Sequence, residues 1–320
     1  MNKIYFLAIL IIFSFSLACW KNDEDDTRRN TNYGRNSPSP KPTASSTKAN
    51  LESSPTPTDN SNITMNQNTT SDNKSGGFLA SLPGGFIQPT DDVGKKMLKE
   101  YGAVFVARGG AVPPKTVIFK DEAEVSAYQN GLQKSKESIG GFSMELQTAA
   151  MQGLKNAISE AKQSSLTITP RGADSARRTY GETVKLWASR VEPGLKHWVG
   201  KGKLSQADAN RIKGLSPFGQ VPEIFKLEAQ GMFFSKDLSK SIIYSVAPPG
   251  TSQHLSMLAL DVKENDNAKV REILAKHGWF QTVVSDLPHF TFLGISEGEL
   301  SNMGLKKVGD GGRNFWLPNI

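Results

Sequence analysis

Residues 250–294 read GTSQHLSMLALDVKENDNAKVREILAKHGWFQTVVSDLPHFTFLG, and this stretch decides how the chain is expected to fold. The apolar run 258–262 predicts a short strand. The segment 267–276 predicts a helix, because its apolar residues recur at helical spacing and Gly278 follows as a stop signal. From 289 to 293 the residues alternate between aromatic and other side chains, which predicts a second strand.

Two histidines and two aspartates of this stretch are spaced for metal chemistry. Two neighbouring strands can bring His254, Asp261 and His289 together. Two imidazoles and a carboxylate suit a zinc ion that keeps a fourth position open for water. Asp286, three residues before His289, can take a proton from that water. The alternative is a pair of strands with incidental polar residues and no metal.

The sequence SQHLSMLALD at 252–261, followed by DLPH at 286–289, resembles the metal signature of the VanY-type D-alanyl-D-alanine carboxypeptidases. That family reads S-x-H-x-x-G-x-A-x-D and then E-x-x-H. The chain departs from the pattern at Met257, where the family has Gly, and at Asp286, where it has its catalytic Glu. The resemblance extends over roughly residues 166–294, because the order of helix, strand and arginine-bearing segment also agrees.

The resemblance implies an α+β fold, with a small mixed sheet and flanking helices around a zinc D,D-peptidase core of the Hedgehog/VanY-like type. It implies a Zn²⁺ ion held by His254, Asp261 and His289, with Asp286 as the general base. Ser252 is expected to bind the substrate terminus. The implied substrate is the D-alanyl-D-alanine end, or another peptide cross-link, of peptidoglycan.

Two arginines lie in the segment 170–190, PRGADSARRTYGETVKLWASR. Asp174 or Ser175 is expected to cap the helix that follows. Arg178 stands in a sequence that resembles the Y-R-S-Y segment of the family, in which an arginine contacts the substrate and stabilises the developing oxyanion. Arg171 is a rival for substrate binding, and either side chain can instead be an ordinary surface arginine.

The remaining pattern predicts structure rather than chemistry. The segment 101–106 predicts a strand, whereas 121–132 and 144–162 predict helices, the last because of an apolar stripe at helical spacing. His197 and His277 stand near predicted helix ends, where structural roles are expected.

The N-terminus has the composition of an export signal. Residues 1–18 carry one basic residue, Lys3, before an apolar run that is too short to span a membrane as a helix. Cys19, the single cysteine, follows Ser-Leu-Ala, which resembles a bacterial lipobox and predicts lipidation. An uncleaved anchor and ordinary signal cleavage are the alternatives. Residues 19–77 are poor in apolar side chains and predict a disordered Ser/Thr/Pro/Asn-rich tether.

The tether is expected to lead into a small N-terminal subdomain, residues 78–140, and a VanY-like zinc peptidase domain, residues 141–320. The net charge of +7 favours an anionic polymer such as a cell-wall glycan. Nucleic acid would also suit this charge, but no nucleic-acid motif is present and none is expected as a partner. These features predict a lipid anchor in a membrane of the bacterial cell envelope.

Three functions follow from this reading. The first is a zinc-dependent peptidase that acts on peptidoglycan peptides and resembles a D-alanyl-D-alanine carboxypeptidase. The second is a catalytically degenerate lipoprotein of the same fold that binds the cell wall. The third is a structural lipoprotein without metal. Metal content separates the third from the others, and cleavage of a D-Ala-D-Ala peptide separates the first two.

Overall fold

The computed structural model describes residues 77–320, so the predicted signal peptide, Cys19 and nearly all of the predicted tether lie outside the described residues. The α-helices of the described part are α1 (Asp92–Tyr101), α2 (Glu122–Asn130), α3 (Thr148–Gln163), α4 (Tyr180–Gly200), α5 (Gln206–Lys213), α6 (Pro217–Ala229) and α7 (Ala268–Lys276). Its strands are β1 (Lys134–Ile139), β2 (Phe142–Gln147), β3 (Ala259–Asp261), β4 (Trp279–Phe280), β5 (His289–Phe292), β6 (Leu305–Asp310) and β7 (Arg313–Pro318).

The central sheet has the strand order β3-β5-β4, and β5 is antiparallel to both of its neighbours. Helix α7 connects β3 to β4, which therefore run parallel to each other without being paired. Strand β5 lies between them. The sequence predicted a mixed sheet, but the paired strands in the described part are antiparallel, because β5 separates the two strands that the helix connects.

Helix α7 forms where the sequence predicts it. The Asn267 side chain caps its start by accepting hydrogen bonds from the backbone N–H groups of Lys269 and Val270, at 2.9 and 3.4 Å. Val270, with the two other apolar residues of the predicted face, is buried. The helix ends before Gly278, whose φ of +79° supports the left-handed conformation common after a helix.

Four predicted elements differ from the structure. The strand expected directly before the arginine segment does not form, and residues 166–169 have no regular secondary structure. The segment predicted as a strand at 101–106 forms the end of α1 and a 3₁₀ helix, Gly102–Val106. The helix predicted from residue 144 begins only at Thr148, because the preceding residues form the β1-β2 hairpin. Helix α4 is not capped by Asp174 or Ser175; Thr179 and Glu182 form a capping box at its start.

One hydrophobic core contains residues from both sides of the predicted boundary at residue 140. Met97 of α1 and Val106 are buried in the same cluster as Leu154, Trp187 and Trp279. The β1-β2 hairpin spans the boundary itself. Within residues 77–320, no helix has both the length and the apolar character required to cross a lipid bilayer.

Candidate metal centre

His254 is held in the interior by the 3₁₀ turn Gln253–Ser256. This turn follows Gly250, whose φ is +78° and whose backbone approaches Phe119 so closely that a Cβ would overlap the Phe119 carbonyl oxygen. The Phe119 N–H donates to the Gly250 carbonyl at 3.0 Å. Only glycine satisfies both constraints, so the turn that carries His254 is fixed against the N-terminal part of the chain.

Asp261 and His289 face each other across the central sheet. They are directly paired in the register of β3 and β5, where Asp261 is the last residue of one strand and His289 the first of the other. Side chains of directly opposed residues in an antiparallel pair project from the same face of the sheet. The sheet therefore delivers a carboxylate and an imidazole to one point, next to the turn that carries His254.

The structure brings the three predicted ligands together. The potential ligand atoms of His254, Asp261 and His289 all lie within 4.8 Å of one another. His254 Nε2 and His289 Nδ1 each lie 3.3 Å from Asp261 Oδ1. Ligand atoms of a tetrahedral zinc site are about 3.3–3.6 Å apart, given bond lengths of about 2.0–2.2 Å. The two distances to Asp261 Oδ1 are therefore those of a zinc site, and zinc binding itself stays a prediction.

The hydrogen bond made by His254 Nδ1 leaves the other ring nitrogen, Nε2, directed at the cluster. His254 Nδ1 lies 2.6 Å from the Ala176 carbonyl oxygen, which can only accept, so Nδ1 carries the proton. Burial lowers the pKa of His254, although Asp261 partly opposes this shift, and the neutral ring is favoured. Its Nε2 is buried without a hydrogen-bond partner in the described part of the chain. A buried lone pair that faces a carboxylate is unfavourable unless a cation lies between them.

Asp261 supplies the negative charge of the cluster. Burial opposes its ionisation, whereas protons that His254 and His289 can turn toward it lower the pKa of its carboxyl below its usual range. The ring of His289 meets that of His254 edge-on, with centroids 4.9 Å apart and an interplanar angle of 74°. A carboxylate and two imidazoles form a ligand set that could hold a divalent cation.

Arg178 contacts the same carboxylate from the other side. Its Nη2 lies 3.2 Å from Asp261 Oδ2, whereas Oδ1 faces the histidines. The backbone explains this placement, because the Asp261 N–H donates to the Ser175 carbonyl and the Arg171 N–H donates to the Asp261 carbonyl, both at 2.9 Å. The arginine segment thus runs beside β3. The Arg171 side chain is exposed at the edge of the same cleft.

Asp286 lies in the tight turn before β5. Its N–H donates to the Val283 carbonyl and its carbonyl accepts from the His289 N–H, both at 3.1 Å. Desolvation in the cleft and the negative charge of Asp261 raise the pKa of Asp286, although the residue as a whole is exposed to solvent. The residue lines the same cleft as the candidate metal centre without belonging to the cluster of ligand atoms.

A cleft of about 400 Å³ opens onto the cluster. It is lined by all seven residues that the sequence assigned to metal, catalysis or substrate outside the N-terminus. These are Arg171, Arg178, Ser252, His254, Asp261, Asp286 and His289. Arg190 of α4 and the exposed Tyr244 also line the cleft, and the sequence pattern did not single them out. The structure therefore places the predicted groups at one site, while their roles stay predictions.

Two contacts at the site could not be read from residue patterns. Gln253 contacts His289 Nε2 through its Oε1 at 2.8 Å, and the Ala176 carbonyl contacts His254. The position of Gln253 directly before His254 was the only available signal for the first contact, and a backbone carbonyl carries none. The other histidines lie elsewhere: His277 contacts Glu160 at 2.9 Å and His197 packs edge-on against Trp198.

No family model matches the chain. No curated protein matches it either. Among solved structures, the chain is similar to a mutant of the vancomycin resistance D,D-pentapeptidase VanY from the VanB-type resistance cassette, in complex with Zn(II). The two chains are 16% identical, the match covers 50% of this chain and 79% of that one, and the TM-score is 0.29. A likeness of this size carries no inference about function, so the functional assignment rests on the residues of this chain.

Proposed function

We propose that the chain is a zinc-dependent peptidase that acts on peptidoglycan peptides, with an activity like that of a D-alanyl-D-alanine carboxypeptidase. One observation carries the proposal: His254 Nε2, His289 Nδ1 and Asp261 Oδ1 converge at the bottom of a cleft, and the first of them has no hydrogen-bond partner among the described residues. The spacing of these residues, which resembles the metal signature of VanY-type enzymes, supports the same assignment.

His254, Asp261 and His289 would hold the zinc ion, and zinc bound there supplies Lewis-acid polarisation of a scissile carbonyl and a more acidic water. Asp286 would accept the proton of the attacking water and return it to the leaving amine. Desolvation and the charge of Asp261 raise its pKa, which would favour a base role for Asp286. Its place on the turn that leads into β5 keeps it beside the ligand His289.

The cationic side of the cleft would hold the substrate. Arg178 is proposed to stabilise the oxyanion, and its contact with Asp261 Oδ2 also orients that candidate ligand. Ser252, which is buried at the wall of the cleft, and Arg171 at its edge are proposed to bind the peptide terminus. A carboxylate on the substrate would complement these arginines.

The proposed location is the bacterial cell envelope, with the protein attached to a membrane through lipid on Cys19. The sequence Ser-Leu-Ala-Cys after an apolar run supports this proposal. The net charge of +7 suits an anionic cell-wall polymer. Peptidoglycan peptide and membrane are the proposed partners, and nucleic acid is not among them.

A catalytically degenerate, cell-wall-binding lipoprotein is the second candidate, and Asp286 favours it. An aspartate is one methylene shorter than the glutamate of the resembling family, a difference of about 1.5 Å. A misplacement of about 1 Å can lower a rate about a hundredfold.

The test is release of D-alanine from a peptidoglycan pentapeptide ending in D-Ala-D-Ala, with the zinc-supplemented protein. The proposal predicts turnover by the parent and none by His254→Ala, with His277→Gln as a control that alters a histidine outside the cleft. Zinc binding without cleavage of pentapeptide or of isolated peptidoglycan would support the degenerate lipoprotein. Absence of zinc binding in the parent would support the structural lipoprotein.

A further inference from the structure

Gln253 is a buried side chain that joins the candidate metal centre to the N-terminal part of the chain. Only 3% of its surface is exposed. Its Nε2 donates to the Tyr101 carbonyl oxygen at 2.8 Å, at the junction of α1 and the following 3₁₀ helix. A carbonyl oxygen can only accept a hydrogen bond. The amide must therefore point its NH₂ group at Tyr101, since the flipped amide would set two acceptors against each other.

With this orientation, the opposite end of the amide is the oxygen Oε1, which can only accept hydrogen bonds. Gln253 Oε1 lies 2.8 Å from His289 Nε2 and 3.2 Å from the Thr282 hydroxyl, and it also accepts from the Thr291 hydroxyl. Both hydroxyls are buried. An amide oxygen cannot donate, so His289 Nε2 must carry the proton.

The tautomer of His289 then follows from its environment. A neutral imidazole with its proton on Nε2 has its lone pair on Nδ1. In the structure Nδ1 lies 3.3 Å from Asp261 Oδ1. Asp261 Oδ1 lies at the same distance from His254 Nε2. The opposite tautomer would leave two acceptors facing each other at Gln253. The tautomer with the proton on Nε2 instead leaves a lone pair on Nδ1 opposite Asp261 Oδ1, and a cation between these two atoms would satisfy both.

We propose that Gln253 is a positioning residue: through its bond to Tyr101 it selects the tautomer of His289 that turns the Nδ1 lone pair toward Asp261 and His254. The expected consequence, tighter metal binding, rests on the metal centre of the proposed function. It does not depend on peptidase activity. The inference also gives a role at the site to Tyr101, a residue of the predicted N-terminal subdomain, through its backbone carbonyl.

The first measurement is the tautomer of His289 in metal-free, isotope-labelled protein, read from nitrogen NMR of the imidazole rings. The parent is expected to carry the proton on Nε2. Gln253→Met, which keeps the length of the side chain but removes the acceptor, is expected to lose this preference. Gln253→Glu keeps an acceptor oxygen for His289, and its protonated carboxyl can donate to the Tyr101 carbonyl, so this variant is expected to retain the preference; its loss would count against the role of Gln253 even if the methionine variant does not fold.

The second measurement is zinc affinity in competition with a chelator. Loss of a hydrogen-bond partner of a metal-binding histidine typically weakens affinity about 10–100-fold, which is the expectation for Gln253→Met. Thr291→Val is the matched control: it removes a hydroxyl that donates to the same Gln253 oxygen but leaves the contact with His289, so its affinity should stay within about threefold of the parent.

The outcomes separate this inference from the proposed function. A folded Gln253→Met variant with the parent's tautomer and affinity would overturn the role of Gln253, as would a parent with the proton on Nδ1. A Gln253→Glu variant with the proton on Nδ1 would overturn it as well. If the parent binds no zinc, the proposed function fails, and the NMR comparison alone still decides whether Gln253 sets the tautomer.

Discussion

Met257 provides a quantitative test of the backbone around His254. It follows the 3₁₀ turn in the left-handed conformation, with φ 58° and ψ 26°, and its side chain is fully buried. Its N–H donates to the His254 carbonyl at 3.2 Å and its carbonyl accepts from the Gln147 N–H at 3.1 Å. The perturbation is a pair of variants, Met257→Gly and Met257→Ala, which remove the same buried side chain but differ in their tolerance of positive φ.

Both variants should be destabilised, because truncation of a buried methionine typically costs about 2–5 kcal/mol. The difference in stability between the two variants isolates the energetic effect of the left-handed backbone at residue 257. A left-handed residue other than glycine costs about 1–2 kcal/mol, whereas glycine elsewhere is about 0.5–1 kcal/mol less favourable than alanine. The glycine variant should therefore be more stable than the alanine variant by about 0.5–1 kcal/mol.

Thermal unfolding monitored by circular dichroism measures the difference, which should appear as a melting temperature about 1–4 °C higher for Met257→Gly than for Met257→Ala. Met144 is the matched control, since it is equally buried but lies in strand β2. There the order should reverse, with the glycine variant less stable than the alanine variant. A glycine variant that is less stable at both positions would refute the left-handed conformation at Met257.

Four further predictions concern the site and the N-terminus. Asp286→Asn should retain zinc and lose D-alanine release about 10²–10⁴-fold; an unchanged rate would exclude Asp286 as the base. Arg178→Gln leaves the nearly buried Asp261 without its partner and should destabilise the metal-free protein by about 3 kcal/mol. Added zinc should reduce this loss in melting experiments. An equal loss with and without zinc would contradict the proposal that the Asp261 carboxylate contacts both Arg178 and zinc. Because burial lowers the pKa of His254, the unfolded chain takes up its proton first, and the metal-free protein should lose stability as the pH falls below about 6.5. His254→Gln should flatten that decline, measured as melting temperature against pH. Cys19→Ser should move the protein from the membrane fraction to the soluble fraction, and retention in the membrane would refute lipid anchoring.

The elements that carry the candidate site could be predicted because their signals are local. The alternation from residue 289 produces β5, and Asn267 and Gly278 bound helix α7 as expected. Short apolar runs are ambiguous between helix and strand, and for this reason the segment at 101–106 was wrongly predicted as a strand. The helix predicted from residue 144 starts late because pairing of β1 with β2 overrides the helical stripe at Met144.

The candidate site likewise has one part that could be predicted from the sequence and one part that could not. The types and spacing of His254, Asp261 and His289 predicted that they would meet, since each has a side chain suited to a metal. The groups that orient them have no such signature. The Ala176 and Tyr101 carbonyls belong to the backbone, and Gln253 acquires its role only when the fold places an obligate acceptor at its other end. Such contacts depend on tertiary structure and cannot be read from residue identity.

The most direct test of the central claim is the zinc content of the purified protein after equilibration with zinc and removal of the excess. Three samples suffice: the parent, His254→Ala, and His277→Gln as the control outside the cleft. The parent and the control should each hold one zinc ion per chain, and His254→Ala should hold none. A parent without zinc, or a His254→Ala variant that holds as much zinc as the parent, would contradict the metal centre proposed for this cleft.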